Sequence, residues 1–460
     1  MARDPRRGRP AKRNPGRGRT KPKPAAADSD VAIPRIAGVT SVVLQPGKIT
    51  PVLAGHPWVY SGAIARTLPP LGLDEGEVAV PGGPCIVFDP AGRYLGFGHY
   101  NVASQITVRV VAVSAEDEEA PKRLPTVGRL VRDRLDRAIA LRRDLGLPGP
   151  ADDAYRLVNS EGDGLPGIVV DCFGDGAVVS ISTAGGWLWR SAVVAALTEP
   201  KGAARAWVLV RVAGDCHPSE GLMAGLHESH GAVPDRVSVR HAGVEMGVDP
   251  QGQKTGMFLD QRDNRVAVAQ LARGRFVVDA YCHTGGFGLT CASAGARKVL
   301  CVDASLPAIE QVRGHADRLG VSDRLRAEQG DAIHVLQSFA DQTDDNERPS
   351  LVIVDPPKFA TRADVISDAL RKYTHLNRLA MEALVDDGWL VSCSCSGRVS
   401  EQDFLRMLAL AARRAGRSLT LVELRGAARD HPVSPAHPEA RYLKVAFCRV
   451  RRTEAAVKDS

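Results

Sequence analysis

Five short stretches place reactive or charge-bearing side chains where an apolar run gives way to a loop. Phe276-Val-Val-Asp279-Ala-Tyr281-Cys-His-Thr284-Gly285-Gly286-Phe287-Gly288 ends its apolar run in a carboxylate and opens at once into glycines. Val299-Leu-Cys-Val302 delivers Asp303, 24 residues past Asp279, and Gly330-Asp331-Ala332 supplies a third acid. Asp355-Pro356-Pro357-Lys358-Phe359 and Ser392-Cys393-Ser394-Cys395-Ser396-Gly397 close the series. An acid about 20 residues beyond a glycine turn is placed to accept hydrogen bonds from ribose hydroxyls, and Asp331 can accept from an adenine amino group. The glycines alone decide nothing, because any tight strand-to-helix turn needs positive φ. A cysteine beside such a pocket is a nucleophile only as its thiolate.

The elements that must position these residues follow from the pattern around them. From Val237 onward the spacing predicts strands at 276–280, 298–303, 325–329, 350–354, 388–393, 418–424 and 441–449, and helices at 287–295, 306–319, 331–339, 365–385 and 400–415. Such alternation predicts an α/β, mainly parallel sheet with its ligand pocket at the carboxyl ends of the strands. Pro and His break the segment between the last two strands, so these are expected to form a hairpin with one strand antiparallel. The glycine turn matches neither the dinucleotide nor the triphosphate fingerprint. Seven strands, a reversed hairpin, this turn and the acids resemble the class I S-adenosylmethionine-dependent methyltransferases, with their Rossmann-like sheet. Asp355-Pro356-Pro357-Lys358-Phe359 resembles the (D/N)-P-P-(Y/F) motif of nucleic-acid methyltransferases, whose rigid prolines hold acceptors against a base edge.

Carbon 5 of a pyrimidine is scarcely nucleophilic, and thiolate addition to carbon 6 makes the ring an enamine that can attack a methyl donor. A cysteine facing the base is then the chemical requirement. Cys393 falls inside a predicted strand, as a packing thiol would, whereas Cys395 reaches the loop and the pocket.

The chain ahead of this unit has a different character. Ten Lys or Arg against Asp4 alone fall within residues 1–24, more than the whole net charge of +7, so the basicity is a tail. With Pro and Gly interleaved, residues 1–38 are expected to be disordered and to bind polyanions. Strand-like pieces from Val42 to Val113, with turns every 8 to 12 residues, predict a small β-barrel over 39–114. Residues 115–234 are expected to form a middle α+β domain, with a helix at Val127–Leu145, two strands between Tyr155 and Ile181, a helix near Trp189–Leu197 and a strand at 206–212. A methyltransferase domain at 235–454 and a tail at 455–460 complete the expected organisation. Glu161-Gly-Asp163-Gly reads as a turn rather than a cation loop. Nine cysteines without a C-x-x-C pair predict reduced thiols, no zinc site and a cytoplasmic location. No apolar run approaches the roughly 20 residues of a membrane span.

Taken together, the motifs resemble the bacterial large-subunit rRNA cytosine-5 methyltransferases of the RlmI type over nearly everything after the tail. The resemblance is carried by Gln45-Pro-Gly-Lys48, His56-Pro-Trp-Val-Tyr-Ser-Gly62, Ala103-Ser-Gln-Ile106, Asn159-Ser-Glu-Gly-Asp-Gly-Leu-Pro-Gly167 and Lys254-Thr-Gly-Met-Phe-Leu-Asp-Gln261-Arg262. Thr284-Gly-Gly-Phe287, Asp355-Pro-Pro-Lys-Phe359, Ser394-Cys-Ser-Gly397, Asp430-His-Pro432 and Tyr442-Leu-Lys444 complete it. It implies that the barrel is a PUA domain, that the cofactor is S-adenosylmethionine and that the substrate is 23S rRNA, free or in an assembling large subunit. A homodimer is a further expectation. Implied cofactor contacts are Asp279, Tyr281, Thr284, Gly285, Gly286, Phe287, Asp303, Asp331, Asp355, Gln261 and Arg262. Implied RNA contacts are Pro356, Pro357, Lys358, Phe359 and Lys254, with Cys395 as nucleophile and Asp355 beside it. By analogy with uracil-5 methyltransferases, Glu439 in His437-Pro438-Glu439 is the candidate base for the carbon-5 proton. Two other readings remain: a base N-methyltransferase using Asp355-Pro-Pro without a thiol, and a non-catalytic RNA-binding assembly factor.

Overall fold

The computed structural model describes residues 32–72, 79–115, 118–199, 204–252, 257–360 and 365–453. Most of the basic tail, the C-terminal tail from 454 and Lys254 lie outside these residues. The first sheet holds β1 (Thr40–Leu44), β2 (Trp58–Tyr60), β3 (Ile64–Leu68), β4 (Gly83–Phe88), β5 (Tyr94–Tyr100) and β6 (Ile106–Val113), in the order β2-β6-β5-β4-β1-β3, with a one-turn helix α1 (Thr50–Leu53) between β1 and β2. Only the β1–β4 pair is parallel. Its core is Val42, Leu44, Val87, Leu95 and Val108.

The middle unit starts with α2 (Val127–Asp144) and carries five strands rather than three: β7 (Ala154–Asn159), β8 (Ile168–Phe173), β9 (Gly176–Ile181), β10 (Trp207–Val212) and β11 (His227–His230), ordered β11-β10-β9-β8-β7. Tyr155–Ile181 holds three strands where two are expected. Strand β11, His-Glu-Ser-His, is a polar edge strand without apolar alternation, so periodicity cannot find it. The helix expected near Trp189 begins earlier, as α3 (Ala184–Thr198), because the Thr183 side chain accepts from the Gly186 N–H and caps it.

A hairpin, β12 (Val237–His241) and β13 (Val244–Val248), leads to α4 (Arg262–Ala272) and the largest sheet. That sheet comprises β14 (Phe276–Ala280), β15 (Lys298–Asp303), β16 (Leu325–Gln329), β17 (Leu351–Val354), β18 (Gly388–Ser394), β19 (Arg417–Arg425) and β20 (Lys444–Arg452), ordered β16-β15-β14-β17-β18-β20-β19. Intervening helices are α5 (Gly286–Ser293), α6 (Leu306–Arg318), α7 (Ala332–Ala340), α8 (Ile366–Ala383) and α9 (Glu401–Arg414). Strand β20 runs antiparallel between β18 and β19, which is the expected reversed hairpin. Both faces of the sheet centre are covered, so the central strands β14 and β17 are buried along their length and apolar but for Asp279, whereas the edge strands β16 and β19 carry exposed polar residues. On β14, Val277 packs into the cluster of α5, α6 and the β12–β13 hairpin, whereas Val278 packs into that of α7, α8 and α9. Each such fully buried side chain contributes roughly 1.5–3 kcal/mol. Among the described residues no helix is long and apolar enough to cross a membrane.

The three units are joined by buried polar contacts. Arg109 of β6 pairs with Glu161 at 3.2 Å and Glu220 at 3.3 Å, and Trp58 Nε1 donates to Glu161 at 2.8 Å. A Cβ on Gly82 would stand 2.3 Å from the Gly185 nitrogen, so the first sheet meets α3 through facing glycines. On the other side Arg142 donates to both Asp163 oxygens, at 2.6 and 2.9 Å, and to the Asp430 carbonyl at 2.7 Å. The Asp430 carboxylate accepts from the Arg156 N–H at 2.9 Å and meets His431 Nδ1 at 2.9 Å. Burial alone would raise Asp430, yet His431 and Arg262 hold it well below the ordinary carboxylate range.

Candidate active site at the carboxyl edge of the sheet

Strand register decides which loops meet. Ala280 pairs with Val354 and Val354 pairs with Ser392, so the chain leaving β14, β17 and β18 emerges side by side. Tyr281, Asp355 and Cys393 are the next residues at those ends.

The glycine turn after β14 is tightly bent: Gly285 (φ 82°) caps α5, and Tyr281 (φ 64°) and His283 (φ 50°) are left-handed without being glycine. Such residues cost about 1–2 kcal/mol each and persist where the surroundings hold them. Here Asp303 does part of the holding, accepting from the His283 N–H and from the Ser305 N–H, both at 2.9 Å. Asp279 accepts from the Gly288 N–H at 2.8 Å, and burial pushes its carboxyl up to about 7. Arg265 of α4 lies across the turn. A Cβ on Gly286 would come 2.5 Å from Arg265 Nε, so the buried guanidinium packs directly on this glycine. Thr284 is half-buried and Phe287 buried.

Arg265 Nε and Nη1 and Asp279 Oδ1 are buried, and none has a hydrogen-bond partner among the described residues. Orphaned buried polar atoms are expensive, and a facing cation and carboxylate suit a ligand end that carries both an ammonium and a carboxylate. The amino-acid end of S-adenosylmethionine is such an end, so the residues fit that cofactor. Farther along the edge, Asp331 caps α7 through the Ile333 N–H at 2.9 Å. Tyr281 is pushed up to about 12 by burial and then by the charge of Asp331.

Asp355 accepts from Gln261 Nε2 at 3.1 Å, and Gln261 is itself held by Asn264 at 2.7 Å. Pro356 is buried, Pro357 and Lys358 are exposed, and Phe359 packs on Tyr373 with ring centroids 4.8 Å apart. Cys393 is fully buried and burial pushes its thiol well above the ordinary range, whereas Cys395, at the loop, is half-buried. The Tyr373 hydroxyl bridges Ser394 Oγ at 3.1 Å and Ser396 Oγ at 3.2 Å, bracketing Cys395. Lys444 reaches the same loop from β20.

Arg262 and Glu439 sit at joints between units. Arg262 lies 3.0 Å from Asp263 and 3.5 Å from Asp430. Glu439 is exposed and 3.5 Å from His56 Nε2 of the first sheet, and the neighbouring His437 ring packs on Trp58 at 4.2 Å. Sequence reasoning missed Arg265, Tyr373 and the role of Lys444. The signal for Lys444 was a lysine inside the apolar run Leu443-Lys444-Val445-Ala446-Phe447. Cavities of about 440 and 310 Å³ lie beside Tyr155 and Arg205 and beside Arg262 and Arg429.

Residues 42–112 match the PUA-like domain family, and residues 235–445 match the S-adenosylmethionine-dependent methyltransferases. The ribosomal RNA large subunit methyltransferase I of Alteromonas mediterranea is 34% identical over 411 residues, covering 89% of this chain and 98% of its own length. Its namesake from Erwinia tasmaniensis is 35% identical, with 89% and 99% covered. A SAM-dependent methyltransferase structure from Streptococcus mutans superposes with a TM-score of 0.72 at 17% identity, covering 89% of this chain and 99% of its own. A methyltransferase structure complexed with SAH gives the same TM-score at 18% identity and the same coverage.

Proposed function

The chain belongs to the ribosomal RNA large subunit methyltransferase I family, and we propose that it methylates carbon 5 of a cytosine in 23S rRNA through a covalent adduct on Cys395. The observation that carries this reading is the contrast between two neighbouring thiols. Cys393 is sealed in the core, whereas Cys395, two residues on, is half-buried at the strand end beside the Asp355 loop.

Bound S-adenosylmethionine supplies an electrophilic methyl group. Asp279 and Arg265 would take its amino-acid end, Asp303 its ribose, and Asp331 with Tyr281 its adenine. The buried Pro356 stiffens the chain so that Asp355, braced by Gln261, and the exposed Pro357 and Lys358 present one edge to the target base. Cys395 thiolate adds to carbon 6, the carbon 5–carbon 6 electron pair becomes available at carbon 5, and that carbon accepts the methyl group. Loss of the carbon-5 proton then expels the cysteine and restores the ring. Glu439, on the connection between β19 and β20 and paired with His56 of the first sheet, is the proposed base by analogy with the uracil-5 methyltransferases.

The test is RNA containing 5-fluorocytosine at the target position. Fluorine cannot leave as a proton does, so elimination stalls and a covalent protein–RNA complex should accumulate with the cofactor present, mapping to Cys395. Methylation at a base nitrogen would give methylated product with no complex, and a non-catalytic RNA-binding factor would give neither.

A further inference from the structure

Lys444 is only 4% exposed although it opens an apolar strand. Its backbone pairs with Ser394 across the β18–β20 ladder. Its Nζ donates to three backbone carbonyls: Ser396 at 2.7 Å, Val399 at 2.8 Å and Tyr442 at 2.9 Å. Three donated bonds use every N–H of an ammonium, so the group is held as a cation. The three acceptors are neutral carbonyls, and the acidic groups whose charge reaches the ammonium are Cys395 first and Glu401 of α9 second. Cys395 lies between Ser394 and Ser396, the two residues at which Lys444 meets its strand and loop.

We propose that Lys444 is a positioning residue that keeps Cys395 ionised, its ammonium acting as counter-ion to the thiolate while its hydrogen bonds fix the loop bearing the sulfur. This rests on Cys395 being the nucleophile. The other titratable groups around the pair are Tyr373 of α8, Cys393 of β18, Asp355 after β17, Glu401 of α9 and Tyr442 before β20. Burial keeps Tyr373, Cys393 and Tyr442 neutral, whereas the carboxylates Asp355 and Glu401 oppose a thiolate, so Lys444 acts against those two. Burial brings Lys444 itself down to about 8, and the adjacent Cys395 works in the opposite sense. The arrangement yields a nucleophile ready at neutral pH without a separate base to deprotonate it.

Iodoacetamide labelling of the full-length protein from pH 5 to 10, with the Cys395 peptide followed by mass spectrometry, tests this without reading turnover. The wild-type midpoint should fall below the roughly 8.5 of a free cysteine. Lys444→Met should raise it by at least about one pH unit, and Lys444→Arg should restore part of the shift. SAH calorimetry reports whether each variant keeps its cofactor site. A wild-type midpoint at or above about 8.5 overturns the proposal, as does a folded Lys444→Met protein with an unmoved midpoint. If Lys444→Met does not fold, the wild-type midpoint alone decides. A low midpoint in a protein that forms no complex with 5-fluorocytosine RNA removes Cys395 from the reaction but leaves its pairing with Lys444 standing.

Discussion

The glycine turn and the cysteine loop share one sheet edge, yet they are built in different ways. The turn is held by near neighbours in the chain: Asp279 takes the Gly288 N–H nine residues on, and Asp303 reaches back twenty residues to His283. The cysteine side is held from afar. Gln261 braces Asp355 across 94 residues, Lys444 pins Ser396 across 48, and Tyr442 bonds Asp260 at 2.7 Å across 182. A locally built half keeps its shape when distant parts are disturbed. A half built from long-range contacts depends on how distant segments of the methyltransferase unit close together.

The sharpest way to separate the halves is Cys395→Ala. Turnover should fall at least about 10³-fold, because the covalent route has no substitute nucleophile. Binding of SAH by calorimetry should stay within about threefold of wild type if the halves are independent. Substantial residual turnover would refute the adduct mechanism.

The same division explains what the sequence makes legible. The succession of strands and helices, the reversed hairpin, the acids at strand ends and the burial of Cys393 beside a half-buried Cys395 follow from patterns a few residues long, so periodicity and turn chemistry suffice. Arg265 and Lys444 do not follow, because each acts on a partner brought close only by folding: Arg265 on Gly286, Lys444 on a loop one helix and one strand away. Asp430-His-Pro432 is visible as a motif, but its work as a clamp on Arg142 and Arg156 of the middle unit spans more than 270 residues. Strand β11 is lost for a simpler reason, since a polar edge strand carries no burial signal.

Breaking the long-range clamp comes next in size. Asp430→Ala leaves the buried Arg262, His431 and the Arg156 N–H without their carboxylate and should cost roughly 3–5 kcal/mol in urea unfolding. Because Asp430 is held below its ordinary value, its contribution is present at neutral pH and fades as pH falls below the usual carboxylate range, so the variant and wild type should converge in acid. Turnover should drop with the clamp while SAH affinity holds; equal losses in both would show that the halves are one cooperative unit.

Disturbing the local half should have the mirror-image effect. Gly286→Ala sets a methyl group into the Arg265 guanidinium, and relief of about 1–3 kcal/mol of overpacking should weaken SAH binding by about tenfold to a hundredfold. The rate at which iodoacetamide labels Cys395 should not change, since nothing in that loop touches Gly286. A change in labelling would reveal a coupling that the contacts do not contain.

The smallest effect is a pH dependence inside the local half. Burial pushes Asp279 up to about 7 when no ligand is bound, against about 3.9 in an unfolded chain. A raised carboxyl contributes stability below the unfolded value and loses it as pH climbs toward about 7, so the cofactor-free protein should weaken across that interval. A cationic amino group entering the cleft favours the carboxylate, so binding must release a proton wherever Asp279 is still protonated. Affinity for SAH should therefore rise with pH, by roughly tenfold between pH 6 and 8, and level off above. Asp279→Asn should flatten the profile and lower affinity at pH 8 while leaving Cys395 labelling unchanged. A wild-type profile flat from pH 6 to 8 would mean that Arg265 already holds the carboxylate ionised, and that the two orphaned partners at the turn compensate each other before any ligand arrives.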